Sequence, residues 1–268
     1  MKGRVLIAAG SDSGGGAGIQ ADIKTVTALG GYAATAITAL TAQNTQGVFG
    51  IESVPPGFIQ QQMRLVLEDI GADAIKTGML GDVATIEAVA TVLVELDGRI
   101  PIVVDPVMVA QSGDPLLDAG AEGALLDLMI PQASVITPNA PEAERLTGLR
   151  VASPEDMPAA AEALRARGAK AVLLKGGHLE GEILVDLLLH EGGQERYESP
   201  RIDSDQTHGT GCTLASAIAA GLAQGLALEP AVRRARLYLQ EAIRQAPGLG
   251  QGSGPVDHWA GAKAVEAL

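Results

Sequence analysis

The sequence contains few aromatic residues and a single cysteine. Phe, Trp and Tyr together make up 2% of the 268 residues, and Cys212 is the lone thiol. One cysteine excludes an intramolecular disulfide and argues against a zinc site built from cysteines. Because 47% of the residues are nonetheless hydrophobic, the chain can bury a sizeable core, which has to be built mainly from Ala, Val, Leu and Ile.

Basic residues are scarce as well. The chain has 19 Lys and Arg against 32 Asp and Glu, which gives a formal net charge of −13. An acidic chain repels a nucleic-acid backbone, and few aromatic rings are available to stack on bases, so we expect no nucleic-acid partner. The sequence has no run of 18 apolar residues and no signal-peptide pattern, so we expect a cytoplasmic protein without a membrane-spanning segment.

Short aliphatic runs alternate with amphipathic stretches along the sequence. The aliphatic runs predict strands buried on both faces, and apolar residues three or four positions apart predict helices between them. Such alternation is typical of a parallel sheet covered by helices on both faces, and we expect residues 1–268 to form one α/β domain. The predicted strands are 5–9, 34–40, 74–77, 102–104, 135–137, 171–175 and 183–189, and the predicted helices are 18–29, 57–70, 82–96, 118–129, 138–146, 154–167, 212–224 and 230–245.

Ligands bind to such folds at the carboxyl ends of the strands, so the loops after the strands carry the functional prediction. The first of these loops, residues 10–22, contains glycines that would let a ligand approach the backbone. The chain has neither the G-x-G-x-x-G pattern nor a Gly-Lys-Ser/Thr phosphate loop, so a nucleotide is not held in either of those ways. A plain flexible turn with a solvated Asp12 is the alternative interpretation.

The next two loops carry residues suited to a heteroaromatic ring. Gln43 offers both a donor and an acceptor to a pyrimidine-like amide edge, although it could equally be a surface glutamine. Met79 could form the wall of an apolar pocket, or it could simply fill the core.

Three later loops supply charged residues. Asp105 follows the fourth strand and offers a hard oxygen ligand to Mg²⁺, or it caps a turn before proline. Glu142 lies one helical turn into the next helix, where it could reach the metal or simply be favoured by the helix dipole. Lys175 ends the sixth strand before two glycines, which suits contact with a nucleotide phosphate, although a solvated lysine is the alternative.

Residues 208–213 form a glycine-flanked turn directly before a helix rich in small residues. The first backbone N–H groups of a helix have no partner within it, and the helix dipole places partial positive charge there. Glycine lets an anion come close to this backbone. The pattern therefore predicts an anion-binding turn, unless Thr207 or Thr210 merely caps the helix.

Taken together, successive strand ends carry two acids, a lysine and an anion-binding turn. Phosphoryl transfer from a magnesium nucleotide requires this combination of charge neutralisation and positioning. A non-catalytic metabolite sensor that keeps the pocket is disfavoured, because all of these groups persist together.

In this order, the motifs resemble those of the ribokinase superfamily and, within it, the hydroxymethylpyrimidine/phosphomethylpyrimidine kinases of thiamin biosynthesis. The resemblance implies a three-layer α/β/α sandwich with a mostly parallel central sheet, ATP and Mg²⁺ as cofactors, and a homodimer. It also implies two ATP-dependent phosphorylations, of a hydroxymethylpyrimidine to its monophosphate and of the monophosphate to the diphosphate. A pyridoxal or pyridoxine kinase is the alternative, because that ring also bears a hydroxymethyl group. The matching blocks are residues 10–22, 41–45, 76–80, 105–108, 112–117, 137–143, 175–178 and 207–213.

The resemblance also assigns residues to the substrates. Those expected around the pyrimidine ring are Gln43, Ala17, Asp22, Met79 and Val107. Those expected to contact ATP are Lys175, Asn139 and Thr207, and those expected to organise Mg²⁺ are Asp105 and Glu142. Backbone N–H groups expected to stabilise the transferred phosphoryl group belong to Gly209, Thr210 and Gly211.

Cys212 occupies the position at which sugar kinases of this superfamily carry an aspartate as general base. Cysteine is usual there in the pyrimidine kinases, so this residue supports the narrower resemblance. A free thiol has a pKa of about 8.5, which a helix N-terminus lowers. Our hypothesis is that Cys212 accepts or relays the proton of the substrate hydroxyl; a small packing residue is the alternative.

Overall fold

The computed structural model describes residues 2–265, and its centre is a nine-stranded sheet of order β3-β2-β1-β4-β5-β6-β7-β8-β9. In this spatial order, the six strands β2, β1, β4, β5, β6 and β7 are parallel to one another. Strand β3 is antiparallel to β2, β8 is antiparallel to β7, and β9 is antiparallel to β8. The mostly parallel sheet is thus confirmed. The strands are β1 Arg4–Asp12, β2 Tyr32–Asn44, β3 Gly47–Ser53, β4 Ala74–Thr77, β5 Ile102–Val104, β6 Val135–Ile136, β7 Val172–Leu174, β8 Ile183–His190 and β9 Gly193–Pro200.

Helices cover both faces of the sheet. Because successive side chains of a strand point to opposite faces, β1 feeds two separate cores: Leu6 and Ala8 pack with the group that includes α2, α3, α5 and α6, and Val5 and Ile7 pack with α1, α7, α8 and α9. The predicted three-layer sandwich is confirmed. The helices are α1 Gly18–Ala28, α2 Pro56–Asp69, α3 Val83–Glu95, α4 Ala121–Ala124, α5 Ala140–Thr147, α6 Met157–Ala166, α7 Thr210–Ala223, α8 Leu228–Arg244 and α9 His258–Val265.

The helix predicted over 118–129 differs from the structure, and two strands and helix α9 were not predicted. The helix expected over 118–129 is a four-residue α4 followed by a π-helical turn over Leu125–Met129; Gly120 has a left-handed φ of 88° and delays the start, and Pro131 follows within a short 3₁₀ turn. Strands β3 and β9 were not predicted. They lie at the two edges of the sheet and are largely exposed, so they lack the aliphatic runs of the inner strands.

The glycine-rich sequence of residues 248–255 predicts a flexible loop with loose packing after it, but the structure shows hydrogen bonds to the loop and a packed helix after it. Thr45 Oγ1 accepts hydrogen bonds from the N–H groups of Gln251 and Gly252, each 3.2 Å long. After this loop, α9 packs on α8, and Tyr238 donates a 2.9 Å hydrogen bond to the backbone oxygen of His258. Within residues 2–265, none of the helices has the length and apolar character needed to cross a bilayer.

Candidate active site

A cavity of about 390 Å³ lies along the carboxyl ends of the parallel strands and reaches the N-terminus of α7. Parallel strands bring their carboxyl ends to one edge of the sheet, so loops far apart in sequence meet here. The structure brings nearly all of the expected site residues to this cavity. Those that line it are Ala17, Gln43, Met79, Asp105, Val107, Asn139, Glu142, Lys175, Thr207, Gly209, Thr210, Gly211 and Cys212.

Asp105 and Lys175 form an ion pair at the centre of the cavity. Lys175 Nζ lies 3.2 Å from Asp105 Oδ1, and the hydroxyl of Thr137 donates a 3.0 Å hydrogen bond to the same oxygen. Burial lowers the pKa of Lys175, but the carboxylates of Asp105 and Glu142 raise it by more, so the net pKa lies above its ordinary value. The lysine is therefore a fixed positive charge between two acids.

Glu142 occupies the first turn of α5 and forms a capping box with Asn139. The Asn139 N–H donates a 2.7 Å hydrogen bond to Glu142 Oε2, and the Glu142 N–H donates a 2.9 Å hydrogen bond to Asn139 Oδ1. Burial raises the pKa of Glu142 to about 7; Lys175 opposes this rise and Asp105 adds to it. Glu142 thus lies at the helix N-terminus, where the helix dipole favours an acid, and the same carboxylate also faces the ion pair.

The predicted anion-binding turn has the required backbone form. Gly209 is the N-cap of α7, has a left-handed φ of 79°, and no side chain caps the helix, so the interpretation of Thr207 or Thr210 as a cap was wrong. The N–H groups of the first turn find no acceptor within the helix. A Cβ placed on Gly211 would lie 3.4 Å from Lys175 Nζ and 3.7 Å from Asp105 Oδ2. The turn therefore lies directly against the ion pair.

Thr207 stands just before this turn and is held from two sides. Its hydroxyl oxygen accepts a 3.2 Å hydrogen bond from Gln111 and lies 3.4 Å from the hydroxyl of Ser253. The loop after β5 and the C-terminal segment therefore meet at the entrance to the turn.

Cys212 lies in the first turn of α7, with part of its surface facing the cavity. Burial raises the pKa of its thiol to about 12; Lys76 opposes this rise, and Asp22 and Asp105 add to it. The thiol is therefore protonated at neutral pH, because the effect of burial exceeds that of the nearby Lys76 ammonium.

Asp22 does not lie in the cavity lining, and this corrects its expected position beside the ring. Both of its carboxylate oxygens lie 2.9 Å from Lys76 Nζ, and Ser216 donates a 2.6 Å hydrogen bond to it. Asp22 and Lys76 are both fully buried. Burial raises the pKa of Asp22, and Lys76 offsets this only in part. The carboxylate thus neutralises a buried ammonium near Cys212, which the sequence did not reveal because 54 positions separate the pair.

One end of the cavity has the character of a ring compartment. The main chain of Gln43 is tied to Ser13 by two 2.9 Å hydrogen bonds, and its side-chain oxygen lies 3.0 Å from the hydroxyl of Thr41. The sulphur of Met79 packs against Gly10, where a Cβ would lie 3.1 Å away. Ala17 and Val107 also line the cavity. The compartment therefore combines one oriented amide with apolar walls.

Sequence reasoning did not identify the opposite end of the cavity. Apolar side chains line it, and such side chains form no recognisable sequence motif. They are those of Leu184, Ile202, Leu239 and Ile243. Asp186 is buried beside them and pairs with Arg236, whose Nε donates a 2.7 Å hydrogen bond to it.

A family model described as phosphomethylpyrimidine kinase matches residues 12–257, which include every expected site residue. This chain belongs to the phosphomethylpyrimidine kinase family. The fold is accordingly the ribokinase-like fold that the sequence predicted.

Individual relatives agree with this assignment. The thiamine biosynthesis bifunctional protein ThiED of Geobacter sulfurreducens is 54% identical over 96% of this chain, which spans about half (52%) of that longer protein. A hydroxymethylpyrimidine/phosphomethylpyrimidine kinase of Streptomyces coelicolor is 49% identical over 96% of this chain and 94% of its own length. The solved ADP complex of a Bacillus subtilis pyridoxal kinase superposes with a TM-score of 0.90 at 37% identity, covering 97% of this chain and 98% of that one.

Proposed function

We propose that this family member transfers the terminal phosphoryl group of ATP to the hydroxymethyl oxygen of the hydroxymethylpyrimidine, and then transfers a second one to the resulting monophosphate, as thiamin biosynthesis requires. One observation carries the proposal. A single cavity joins the ring compartment at Gln43 to the anion-binding turn at Gly209, and the ion pair of Asp105 and Lys175 lies against that turn.

The acceptor ring occupies the compartment of Gln43, Met79, Ala17 and Val107 in this proposal. The side-chain amide of Gln43 faces the aminopyrimidine edge, since an aminopyrimidine presents a donor next to an acceptor. Asp22 acts behind the compartment, where it holds Lys76 near the thiol of Cys212.

The phosphoryl group in transit occupies the turn at the start of α7. The N–H groups of Gly209, Thr210 and Gly211 stabilise the charge that develops on its oxygens, because preorganised donors in a closed site act without further reorganisation. Lys175 neutralises a nucleotide phosphate, with Asn139 and Thr207 at the edges of the phosphate path. Because ADP leaves as the new oxygen–phosphorus bond forms, the positions of donor and acceptor decide the rate.

The donor set fits Mg²⁺ carried in by the nucleotide. Within residues 2–265 there is no cluster of three or more His, Cys, Asp and Glu side chains that could hold a metal alone, but Mg²⁺ in phosphoryl-transfer enzymes takes one or two carboxylates together with substrate phosphates. Asp105 and Glu142 are the two carboxylates that would hold it. When bound, it would supply charge neutralisation for the phosphates.

The raised pKa of Cys212 changes the form of its proposed role. A protonated thiol is not a ready base, so we propose that the sulphur receives the hydroxyl proton while its own proton passes to an oxygen of the phosphoryl group in transit. Cys212→Ala and Cys212→Ser should both lower kcat by more than about tenfold, which corresponds to ~1.4 kcal/mol in the barrier. A smaller loss in both variants would assign Cys212 a packing role.

The reaction is tested by incubating the protein with ATP, Mg²⁺ and the hydroxymethylpyrimidine. Phosphorus NMR should show the monophosphate first and the diphosphate later, with one ADP formed per transfer. If no phosphorylated pyrimidine forms, the proposed function is wrong.

Pyridoxal is the second candidate acceptor, favoured by the structural likeness to a pyridoxal kinase. The higher identity to pyrimidine kinases and the amide of Gln43 favour the pyrimidine. Gln43→Leu should lower kcat/KM for the pyrimidine about 10- to 100-fold, because a polar edge is then left unpaired, and should affect pyridoxal less. A higher kcat/KM for pyridoxal in the unaltered enzyme would reverse this choice.

Three further expectations belong to the same proposal. We place the enzyme in the cytoplasm, where ATP is available, and we take residues 1–268 as one domain, because a single sheet draws strands from Arg4 to Pro200. We also propose a homodimer, supported by the exposed apolar side chains of Leu40, Phe49 and Ile51 on the β2–β3 hairpin. Light scattering should give twice the 27.3 kDa chain mass, and a monomeric mass would contradict it.

A further inference from the structure

Asp12 and His208 are two buried residues of the cavity lining that have no role in the proposed phosphoryl transfer. Asp12 ends β1, His208 is the first residue of the anion-binding turn, and 196 positions separate them. His208 Nε2 nevertheless lies 2.8 Å from Asp12 Oδ2. The two residues are only 3% and 7% exposed, so the solvated Asp12 considered from the sequence is wrong.

Asp12 holds the glycine loop, residues 13–18, on the substrate side of the cavity. Its Oδ1 accepts a 2.7 Å hydrogen bond from the Gly14 N–H, and its Oδ2 accepts bonds of 3.0 Å from Gly16 and 2.8 Å from Ala17. Burial raises the pKa of Asp12, but His208 and the hydrogen bonds from the N–H groups of Ala17 and Gly14 lower it by more. With four hydrogen bonds accepted, the carboxylate has little capacity left for a ligand.

His208 connects the glycine loop to the anion-binding turn. Its backbone N–H donates a 3.1 Å hydrogen bond to the oxygen of Gly254, and its ring packs so closely on Gly16 that a Cβ there would overlap the ring. The next residue, Gly209, packs against the carbonyl group of Gly16. A Cβ on Gly209 would sit 2.8 Å from the Gly16 carbonyl carbon. The glycine loop and the anion-binding turn are therefore in direct contact with no spare space.

We propose that the pair of Asp12 and His208 positions the acceptor relative to the phosphoryl donor. The glycine loop carries Ala17, which belongs to the ring compartment, and His208 leads into the turn that holds the phosphoryl group. Transfer requires the reacting atoms to lie about 3–3.5 Å apart, and a misplacement of about 1 Å can cost ~100-fold in rate. The pair sets this separation without touching either substrate. The inference rests on the proposed function and deepens it.

The kinetic signature separates positioning from binding. His208→Leu removes the donor to Asp12 but leaves each compartment's own contacts in place. The variant should lower kcat by about 30- to 100-fold, while KM for ATP and for the acceptor changes less than about threefold. His208→Gln, whose amide can donate from a position similar to that of Nε2, should recover most of the loss. His190→Leu, remote from the cavity lining, is the matched histidine control and should match the wild type.

A second measurement keeps the test independent of the acceptor. Amide hydrogen exchange in residues 12–18 should accelerate in His208→Leu and return to the wild-type rate in His208→Gln. If His208→Leu does not fold, Asp12→Asn is used instead, because an amide donor cannot accept all four hydrogen bonds.

Two results would overturn the inference: a kcat within threefold of wild type in His208→Leu, or a loss that lies in KM alone. Failure of the proposed function is seen separately, as a wild-type enzyme that leaves the pyrimidine unphosphorylated. In that case the same ratios are measured with pyridoxal, and the exchange experiment decides the role of the pair without any turnover.

Discussion

Replacing Gly209 by alanine tests the central contact of the site. Gly209 has a φ of 79°, and an L residue in this left-handed region costs roughly 1–2 kcal/mol. The new Cβ would also lie 2.8 Å from the carbonyl carbon of Gly16 and 3.1 Å from Cα of Ala17, and it would overlap the Gly16 oxygen. All three atoms belong to the backbone, so none of them can rotate out of the way.

The two loops must then separate by on the order of 1 Å, because ordinary contact begins at 3.4 Å. Overpacking of this kind typically costs about 1–3 kcal/mol, so the total loss of unfolding free energy should be about 2–5 kcal/mol. A displacement of about 1 Å between donor and acceptor should lower kcat about 100-fold. Chemical denaturation measures the first quantity, and steady-state kinetics on folded protein measures the second.

Gly225→Ala is the matched control. Gly225 follows the other end of α7 with a φ of 86°, and a Cβ there would meet nothing within 4 Å. It should lose only the backbone contribution of roughly 1–2 kcal/mol and keep the wild-type kcat. If Gly209→Ala turned over within threefold of the wild type, the packed contact between the two loops would not control catalysis, and the reasoning would be refuted.

Three other substitutions test separate parts of the structure. Lys76→Met leaves Asp22 charged and unpaired in the interior, so denaturation should show a loss of about 3–5 kcal/mol. His258 is buried beside Thr213, and burial lowers its pKa to about 4. As the pH falls below about 6.5, the unfolded chain therefore binds a proton at this histidine before the folded chain does. Between pH 8 and pH 5 the wild type should lose about 2 kcal/mol more unfolding free energy than His258→Gln. Asp105→Asn should raise the Mg²⁺ concentration for half-maximal rate at least about tenfold.

Each of these has its own control. Arg4→Met breaks the exposed pair with Asp73 and should change stability little; equal losses in Lys76→Met and Arg4→Met would contradict the burial argument. Parallel pH–stability curves for the wild type and His258→Gln would show that His258 is not buried as a neutral group. Asp127 is an exposed acid within the π-helical turn and does not line the cavity, so Asp127→Asn should leave the Mg²⁺ dependence unchanged.

Sequence patterns located the strand-end residues of the site because the rule that places them is local. An aliphatic run predicts a buried strand, and the residue after it lies at the carboxyl edge of the sheet. Asp105 and Lys175 were both found in this way, and the structure joins them as an ion pair. Gly209 was found through its place before a helix, since the first turn of any helix has free N–H groups.

The partners of buried charges depended on packing between segments remote in sequence. Nothing local to Asp22 indicates that its charge is matched by Lys76, or that Asp12 meets His208 across 196 positions. The edge strands β3 and β9 and helix α9 were missed for a related reason, because their place in the fold depends on the neighbours against which they pack. The sequence by itself therefore determined which groups reach the catalytic edge, since strand order in the chain and side-chain alternation are local properties. Only the tertiary structure decided which buried charges neutralise one another and how close the two substrate loops lie, because those depend on distances between chain segments that no local pattern encodes.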